Sequence, residues 1–385
     1  MTESRQLLRD LIAFPTISVD PNLALIEYCE KLLLEIGAEV TILKDVSGQK
    51  ANLYATIGPR DRPGVLLSGH TDVVPIAGQN WTVPAFEMSE KDGKLFGRGT
   101  ADMKGFVACA LNAAQKASQL DLQTPLHLAL SYDEEIGCVG VRSLIDMLSA
   151  APFRPQFCIV GEPTEMAVAT GHKGKTAARV CAIGRESHSA LAPTALNAIH
   201  MACDMISVIR EFQADIAQNG VRDDAYDVPY STLHVGKLSG GIALNIVPNK
   251  AEFEFEIRNL PEDDPKEILA QIEAKRDAYI AALEPDFPEA QMTVEVTNTY
   301  PSLGTEVNAD VTKFVQSLTG SSTTIKVAFG TEGGLFSSRI GVPTVICGPG
   351  SMAQGHKPDE FITFDQLNAC DDMLEALLER LVRGI

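Results

Sequence analysis

Short apolar segments that alternate with helix-patterned segments run through both ends of the chain. One example is Val65-Leu66-Leu67, which lies between the breaker pair Pro63-Gly64 and the polar stretch Ser68-Gly69-His70-Thr71-Asp72. Strands that are short and apolar throughout are typical of sheets with both faces covered. The alternation therefore predicts the α/β class, with a mostly parallel sheet flanked by helices.

The apolar periodicity also predicts the individual elements of this sheet. Helices are predicted at 3–13, 22–36, 106–118, 140–148, 308–319 and 365–383. Strands are predicted at 39–43, 52–57, 64–68, 125–131, 157–160, 325–328 and 343–347, with a hairpin within 81–96.

The middle of the chain follows a different order. The predicted elements are a strand at 176–183, a helix at 194–217, strands at 230–238 and 250–258, a helix at 265–283 and a strand at 291–297. The order β-α-β-β-α-β is that of a ferredoxin-like α+β unit. We therefore expect a catalytic, metal-binding domain at 1–174 and 299–385, and an inserted lid and dimerisation domain at 175–298.

Charge and cysteine usage limit the partners. The chain has 32 Lys and Arg against 51 Asp and Glu, a net charge of −19, which argues against nucleic acid or an anionic membrane as the main partner. No uncharged apolar run reaches membrane-helix length, and the N-terminus does not read as a secretory signal. The eight cysteines show no Cys-x-x-Cys spacing, so we expect reduced thiols in a cytoplasmic protein and no cysteine-based zinc site.

Histidine and carboxylate side chains follow the ends of several predicted strands. Because parallel strands end at one edge of a sheet, these residues can converge; they are His70, Asp72, Glu134, Glu135, Glu162 and His356, with Asp102 in a Gly-rich loop before a helix. Such ligands without cysteine suit a hydrolytic Zn²⁺ or Co²⁺ site, and a pair of ions can activate a water and polarise a carbonyl. In the Glu134-Glu135 pair one residue can ligate while the other acts as a base; the alternative is a solvated pair in a loop.

Five segments resemble, in order and spacing, the dinuclear zinc amidohydrolases related to aminoacylase and glutamate carboxypeptidase. They are Ser68–Pro75, Gly97–Gly105, Asp133–Glu135, Gly161–Thr164 and the segment around His356. Within that superfamily the sequence looks most like the acetylornithine deacetylases of the acetylornithine deacetylase/succinyl-diaminopimelate desuccinylase family. The desuccinylases usually carry a Thr-Ser-Asp-Gly type sequence where this chain has Thr331-Glu332-Gly333-Gly334.

The resemblance implies a role for each motif residue. Asp102 would bridge two metal ions, His70 and Glu162 would complete one ligand set, and Glu135 and His356 the other. Glu134 would be the general base and acid that hydrolyses N2-acetyl-L-ornithine through a metal-bridged water, and Asp72 would orient His70. Some relatives carry Asp where this chain has Glu162.

The resemblance also implies substrate contacts and an assembly. His188 would reach the substrate carbonyl across a homodimer interface, and Asn245 and Arg258 would bind the α-carboxylate. Thr331 and Glu332 are candidates for the substrate pocket, with Glu332 facing the ornithine ammonium group. The alternative for Glu332 is a cap on the helix that begins near Gly333.

Other interpretations stay open at this point. A dipeptidase or carboxypeptidase of the same superfamily would share every ligand, a desuccinylase would need a further cationic contact, and a silent homologue could act as a scaffold. His127, His200 and His234 are interpreted as structural and His172 is undecided. The Gly97–Gly105 loop lacks the phosphate-loop order, and there is no Gly-x-Ser-x-Gly, so nucleotide binding and a serine nucleophile are not expected.

Overall fold

The computed structural model describes residues 2–385, and the chain divides into two compact units. The first unit contains the residues up to Gly171 together with Leu303–Val327 and Thr331–Ile385. The second unit contains His172–Ser302 and Ala328–Gly330. The predicted domain boundaries, at 174/175 and 298/299, fall a few residues from these divisions.

Nine α-helices are described in residues 2–385. They are α1 Glu3–Ile12, α2 Leu23–Glu35, α3 Lys104–Ala117, α4 Val141–Ala150, α5 Ala198–Asn219, α6 Pro265–Leu283, α7 Asp310–Thr319, α8 Gly333–Ile340 and α9 Phe364–Arg383. Across the same residues, none of these helices combines the length and apolarity needed to cross a membrane.

The strands of the described chain fall into three sheets. They are β1 Glu39–Lys44, β2 Ala51–Ile57, β3 Val65–His70, β4 Ser89–Lys91, β5 Lys94–Phe96, β6 Leu126–Ser131, β7 Phe157–Pro163, β8 Val168–His172, β9 Lys175–Ile183, β10 Thr232–Gly240, β11 Lys250–Arg258, β12 Gln291–Tyr300, β13 Leu303–Gly304, β14 Thr324–Val327, β15 Thr344–Gly348 and β16 Phe361–Thr363.

The large sheet of the first unit has a parallel centre. Its order is β1-β2-β6-β3-β7-β15-β8-β13, and the neighbouring pairs β6·β3, β3·β7 and β7·β15 are all parallel. The pairs β1·β2 and β2·β6 at one edge are antiparallel, so the predicted mostly parallel sheet is confirmed with a mixed edge. Four parallel strands therefore bring their carboxyl ends to one edge, where β3, β6 and β7 lie side by side.

Helix α3 packs closely against this parallel centre. Phe106 on α3 is buried, and a Cβ atom built on Gly161 of β7 would lie 1.9 Å from its ring. At the start of α3 the buried Lys104 ammonium donates to the carbonyl oxygens of Leu11 and Phe14, at 3.1 and 2.7 Å. Burying an aromatic side chain of this kind contributes roughly 1.5–3 kcal/mol, and glycine at 161 is what allows the helix to approach.

The second unit is built on a four-stranded antiparallel sheet of order β10-β11-β9-β12. In chain order its elements are β9, α5, β10, β11, α6 and β12, which confirms the predicted β-α-β-β-α-β pattern. The β11 burial pattern alternates, with Phe253 and Phe255 buried and Glu252, Glu254 and Glu256 on the other face. That alternation gives one face packed on helices and one polar face.

One predicted helix start was wrong, and three short strands were missed. The helix predicted from 194 begins at Ala198, because the Asn197 side chain accepts from the Ile199 and His200 amides and caps it there. A separate 3₁₀ helix at Ser189–Thr194 precedes it. The strands β13 and β16 were not predicted, because two or three residues are too few to show a period, and β8 was missed as well.

Candidate metal centre

His70 is the last residue of β3 and is buried at the carboxyl edge of the sheet. Its Nδ1 lies 2.9 Å from the Asp72 main-chain carbonyl oxygen and 3.5 Å from the Asp72 carboxylate. Because a carbonyl can only accept, Nδ1 carries a hydrogen, which leaves Nε2 as the nitrogen that can bind a metal ion. Nε2 points at two carboxylates, Asp102 Oδ1 at 3.1 Å and Glu162 Oε1 at 3.8 Å.

The first ligand cluster consists of His70, Asp102 and Glu162, all buried, with one ligand atom from each lying within 4.8 Å of the others. They come from β3, from the loop before α3 and from β7. Two carboxylates that face each other in a buried space repel unless a proton or a metal ion compensates their charge. The donor set of one imidazole nitrogen and two carboxylate oxygens suits a divalent ion such as Zn²⁺.

The second cluster shares Asp102 with the first. His356 Nε2 lies 3.1 Å from Asp102 Oδ2 and 2.9 Å from Glu135 Oε2. As in the first cluster, one ligand atom from each of the three residues lies within 4.8 Å of the others. Each cluster uses a different Asp102 oxygen, which is the geometry of a bridging carboxylate. His356 is the most open ligand, with 48% of its side chain exposed.

A second observation also fits a cation at the second cluster. Glu135 Oε1 is buried and has no hydrogen-bond partner among residues 2–385. Burial, followed by the Asp102 charge, raises the pKa of Glu135 to about 7. Hydrogen bonds to Asp102 and Glu135 raise the pKa of His356 to about 10. In the bare chain protons therefore compensate the negative charge, and divalent ions would displace them on binding.

Glu134 lies beside the ligands without belonging to either cluster. Its backbone amide donates to Asp72 Oδ1 at 3.0 Å, the Glu135 amide donates to Asp72 Oδ2 at 3.3 Å, and Ser18 Oγ donates to the same Oδ2 at 2.7 Å. Asp72 therefore braces the segment that carries Glu134, and its carbonyl oxygen lies nearer to His70 Nδ1 than its carboxylate does. The Cys138 thiol donates to Glu134 Oε1 at 3.2 Å. Burial raises the pKa of Glu134 to about 8, in the range useful for proton transfer.

Glu332 is buried, with 1% of its surface exposed. Its Oε2 accepts from Ser68 Oγ at 3.0 Å and its Oε1 accepts from the Ser131 hydroxyl. It stands at the N-cap position of α8 but its side chain makes no capping bond. The neighbouring Thr331 is also buried, and its hydroxyl accepts from the Gly333 amide at 3.0 Å.

The remaining predicted substrate residues, His188, Asn245 and Arg258, belong to the second unit. His188 is exposed, and its Nδ1 accepts from the Ala190 amide at 3.1 Å, which leaves the hydrogen on Nε2. It forms a bridge with Ile246, and the Ser189 amide donates to the Asn245 carbonyl at 3.0 Å. His188 and Asn245 therefore lie on neighbouring segments.

Arg258 lies at the opposite end of β11 from that pair. Ile183 pairs with Lys250 at the first residue of β11, and the His188–Ile246 bridge lies beyond it, whereas Arg258 is the last residue of the strand. Eight residue steps of a strand span about 26 Å. One copy of the chain therefore cannot place Asn245 and Arg258 on the same small carboxylate.

Arg258 is held within the second unit by two contacts. Its Nε donates to Glu256 Oε1 at 3.1 Å and its Nη1 donates to the Tyr300 hydroxyl at 2.9 Å.

The other histidines have local contacts. His127 is buried next to Thr56, at 3.0 Å from its hydroxyl, and burial lowers the pKa of His127 to about 4. His172 is buried, with Nδ1 2.9 Å from the Lys173 carbonyl. His200 and His234 are exposed in the second unit.

Three supporting residues were not singled out from the sequence: Gln79, Arg98 and Glu360. They are hydrogen-bonded around the loops that carry Asp102 and His356. The only sequence signal for them was their position near or within the Gly-rich and His356 motifs.

Comparison with known proteins gives the family. Residues 66–380 match the model of the peptidase family M20/M25/M40. An acetylornithine deacetylase from Myxococcus xanthus is 32% identical over 98% of this chain and 96% of its own length. An M20 family metallo-carboxypeptidase from Sulfolobus solfataricus superposes with a TM-score of 0.77 at 19% identity, covering 100% of both chains.

A dinuclear metal-binding peptidase of the M20 family from Bacillus subtilis superposes with a TM-score of 0.69 at 16% identity, over 99% of this chain and 98% of that one. The predicted resemblance is therefore confirmed at the level of the family. The chain is a hydrolase that belongs to the peptidase family M20/M25/M40.

Proposed function

We propose that this hydrolase cleaves N2-acetyl-L-ornithine to L-ornithine and acetate, a reaction that would serve arginine biosynthesis. The observation that carries the amide-hydrolysis part is the pair of ligand clusters that share Asp102, with Glu134 beside them. The choice of substrate is supported by the full-length similarity to the Myxococcus xanthus acetylornithine deacetylase.

In this proposal the residues of the two clusters hold two divalent ions, Zn²⁺ in preference to Co²⁺. Bound there, the ions supply Lewis acidity toward a water and toward the acetyl carbonyl. Glu134 takes a proton from the attacking water as the new carbon–oxygen bond forms. As the carbon–nitrogen bond breaks, Glu134 returns that proton to the departing amine, so one water is consumed for each amide cleaved.

The second unit supports a homodimeric active site. His188 Nε2 carries a hydrogen that it can donate to a developing oxyanion. Because the length of β11, about 26 Å, separates Arg258 from the end of the strand that Asn245 precedes, we propose that His188 and Asn245 of the partner subunit complete a site to which this chain contributes Arg258. The loop before Asn245 exposes Ile242 and Leu244, at 87% and 101%, which is typical of an interface patch.

Arg258 suits the substrate's α-carboxylate, because a planar guanidinium can donate two parallel hydrogen bonds to it. The bonds to Glu256 and Tyr300 restrain the side chain and lower the entropy lost on binding.

Glu332 is the candidate partner of the ornithine ammonium group, with Thr331 next to it. Its burial and its two serine donors support a second role, in which it ties Ser68 of β3 to Ser131 of β6. The Glu332→Gln variant separates the two roles. A loss of kcat/KM on acetylornithine that exceeds the loss on a neutral acetyl-amino acid assigns substrate recognition, and equal losses assign the structural role.

A substrate screen tests the proposal directly. The purified protein, supplied with Zn²⁺ or Co²⁺, is assayed with acetylornithine, acetylcitrulline, succinyl-diaminopimelate and dipeptides. We expect the highest kcat/KM on acetylornithine. A higher value on a dipeptide or on succinyl-diaminopimelate would replace the substrate and keep the chemistry.

We also propose that the protein works in the cytoplasm. The structure joins none of the eight cysteines, all within residues 2–385, in a disulfide, and six of them are buried. Unpaired buried thiols are typical of a reducing compartment.

A further inference from the structure

Glu360 lies four residues after the ligand His356 and is almost completely buried. Its Oε1 accepts from three backbone amides of the loop that carries Asp102: Gly99 at 3.1 Å, Ala101 at 2.9 Å and Asp102 itself at 3.1 Å. Its backbone carbonyl accepts from the Gly97 amide at 2.9 Å. One side chain therefore fixes the conformation of the Gly-rich loop at the bridging ligand.

Arg98 links the same carboxylate to the His356 loop. Its Nη1 donates to Glu360 Oε2 at 2.7 Å and reaches the Lys357 carbonyl at 3.3 Å. Its Nη2 donates to Gln79 Oε1 at 2.6 Å. The Trp81 indole donates to that same Gln79 oxygen at 3.0 Å, and the guanidinium lies over the Trp81 ring at 5.0 Å.

Gln79 completes the connection. With its oxygen held by Arg98 and Trp81, its Nε2 is directed at the His356 main-chain carbonyl and donates to it at 2.8 Å. His356 needs such a restraint more than the other ligands do, because it is half exposed and its backbone has φ of +61°. A non-glycine residue in this left-handed region keeps that conformation only where its surroundings hold it.

We infer that Glu360, Arg98 and Gln79 form a positioning relay that sets the spacing between Asp102 and His356 and thereby the affinity of the second metal site. The relay touches the ligands only through their backbones. At its Gln79 end it contacts His356, which belongs to the second cluster alone, whereas at its Glu360 end it contacts Asp102, which both clusters share. The two ends are therefore expected to affect metal binding differently.

This inference rests on the proposed two-metal site. Partners that orient metal ligands typically change metal affinity by about 10–100-fold when removed. Gln79→Ala is therefore expected to weaken the second site by roughly 10-fold or more and to leave the first site within about twofold. Glu360→Gln is expected to weaken both sites, because the Asp102 loop loses the charged acceptor of its amides.

The test is equilibrium dialysis of each variant against buffered free Zn²⁺, with zinc counted per chain and no activity measurement involved. Gln79→Ala should hold one ion at a free Zn²⁺ concentration at which the parent holds two. The matched control is Thr82→Ala, which removes a 2.8 Å side-chain bond to Asp359 in the same loop but leaves the His356 carbonyl untouched. Thr82→Ala should bind as the parent does.

Each outcome decides the inference. If Gln79→Ala holds as much zinc as the parent at every concentration, or if Thr82→Ala loses as much as Gln79→Ala, the relay does not set the second site. If Glu360→Gln fails to fold, Gln79→Ala still decides the matter, since Gln79 is only half buried. A parent that never holds two ions contradicts the proposed two-metal site instead, and that result is distinguishable from failure of the relay.

Discussion

Asp72 braces the segment that carries Glu134, and the Asp72→Asn variant tests that role. The carboxylate accepts from the Glu134 amide, the Glu135 amide and the Ser18 hydroxyl. In asparagine one of the two oxygens becomes an NH₂ group, which cannot accept. The Ser18 hydroxyl can rotate and accept from that group, but the Glu135 amide, at 3.3 Å from Oδ2, loses its acceptor.

The expected size follows from that lost acceptor. A buried donor left without a partner costs about 1–3 kcal/mol, which we expect in the free energy of unfolding. If the transition state loses the same free energy because Glu134 is misplaced, kcat falls by roughly 5- to 150-fold. The zinc content should change little, because asparagine keeps the main-chain carbonyl that lies 2.9 Å from His70 Nδ1, nearer than the carboxylate at 3.5 Å.

The assay measures kcat and KM on acetylornithine, zinc per chain and urea unfolding for the parent and for Asp72→Asn. Ser18→Ala is the matched control: it removes a neutral donor to the same carboxylate and leaves both amide bonds in place. It should lose about 1 kcal/mol of stability and keep kcat within about threefold. The reasoning is refuted if Asp72→Asn keeps the parent kcat, or if zinc loss accounts for the whole fall in activity.

Three further predictions follow from packing, burial and charge. Gly161→Ala should destabilise the protein by about 1–3 kcal/mol or more, because the new Cβ would lie 1.9 Å from Phe106. Gly236→Ala is the control, since its new Cβ would have its nearest atom at 3.8 Å, and it should be close to neutral. Urea unfolding measures both variants, and equal effects would contradict this prediction. Burial holds the pKa of His127 at about 4, below its unfolded value of about 6.5. The contribution of buried, neutral His127 to the free energy of unfolding is therefore fully present above pH 6.5. It is lost as the pH falls toward 4, because the unfolded chain takes up the proton before the folded chain does. His127→Asn should therefore reduce the pH slope of unfolding free energy in that window by up to about 1.4 kcal/mol per pH unit, and an unchanged slope would refute the assignment. Chelation should lower the midpoint of thermal unfolding, because Glu135 and its neighbouring carboxylates then lack a compensating cation. Added Zn²⁺ should restore the midpoint. A midpoint that does not change with chelator would count against a metal at this centre.

The sequence was informative wherever the relevant contact is local to a motif. His70, Glu135 and Glu162 lie at or near the ends of parallel strands and Asp102 lies just before α3, so the predicted topology could place these four at one edge of the sheet. His356 lies in the long loop after β15, and its place in the second cluster was predicted from the resemblance of its motif. The antiparallel edge strands β1 and β2 were predicted as strands, but nothing in their apolar pattern specified their direction.

The residues that support the ligands were harder to predict. Glu360 meets the Asp102 amide across 258 positions, and Ser18 meets Asp72 across 54. A single sequence carries no signal for pairs so far apart, because the local sequence around a polar loop residue is the same whether its side chain is solvated or buried. Glu332 illustrates the same difficulty, since the two serine hydroxyls that bind its carboxylate come from distant strands.

The most direct test of the account is the turnover of Glu134→Gln on acetylornithine, measured with the zinc content of the same sample. Glu134 belongs to neither ligand cluster, and its glutamine counterpart keeps the backbone bond to Asp72 but cannot take a proton from water. We predict that ornithine and acetate release collapses, by at least about 100-fold, while the variant holds as much zinc as the parent. Parent-like turnover with full zinc would contradict the assignment of Glu134 as the general base.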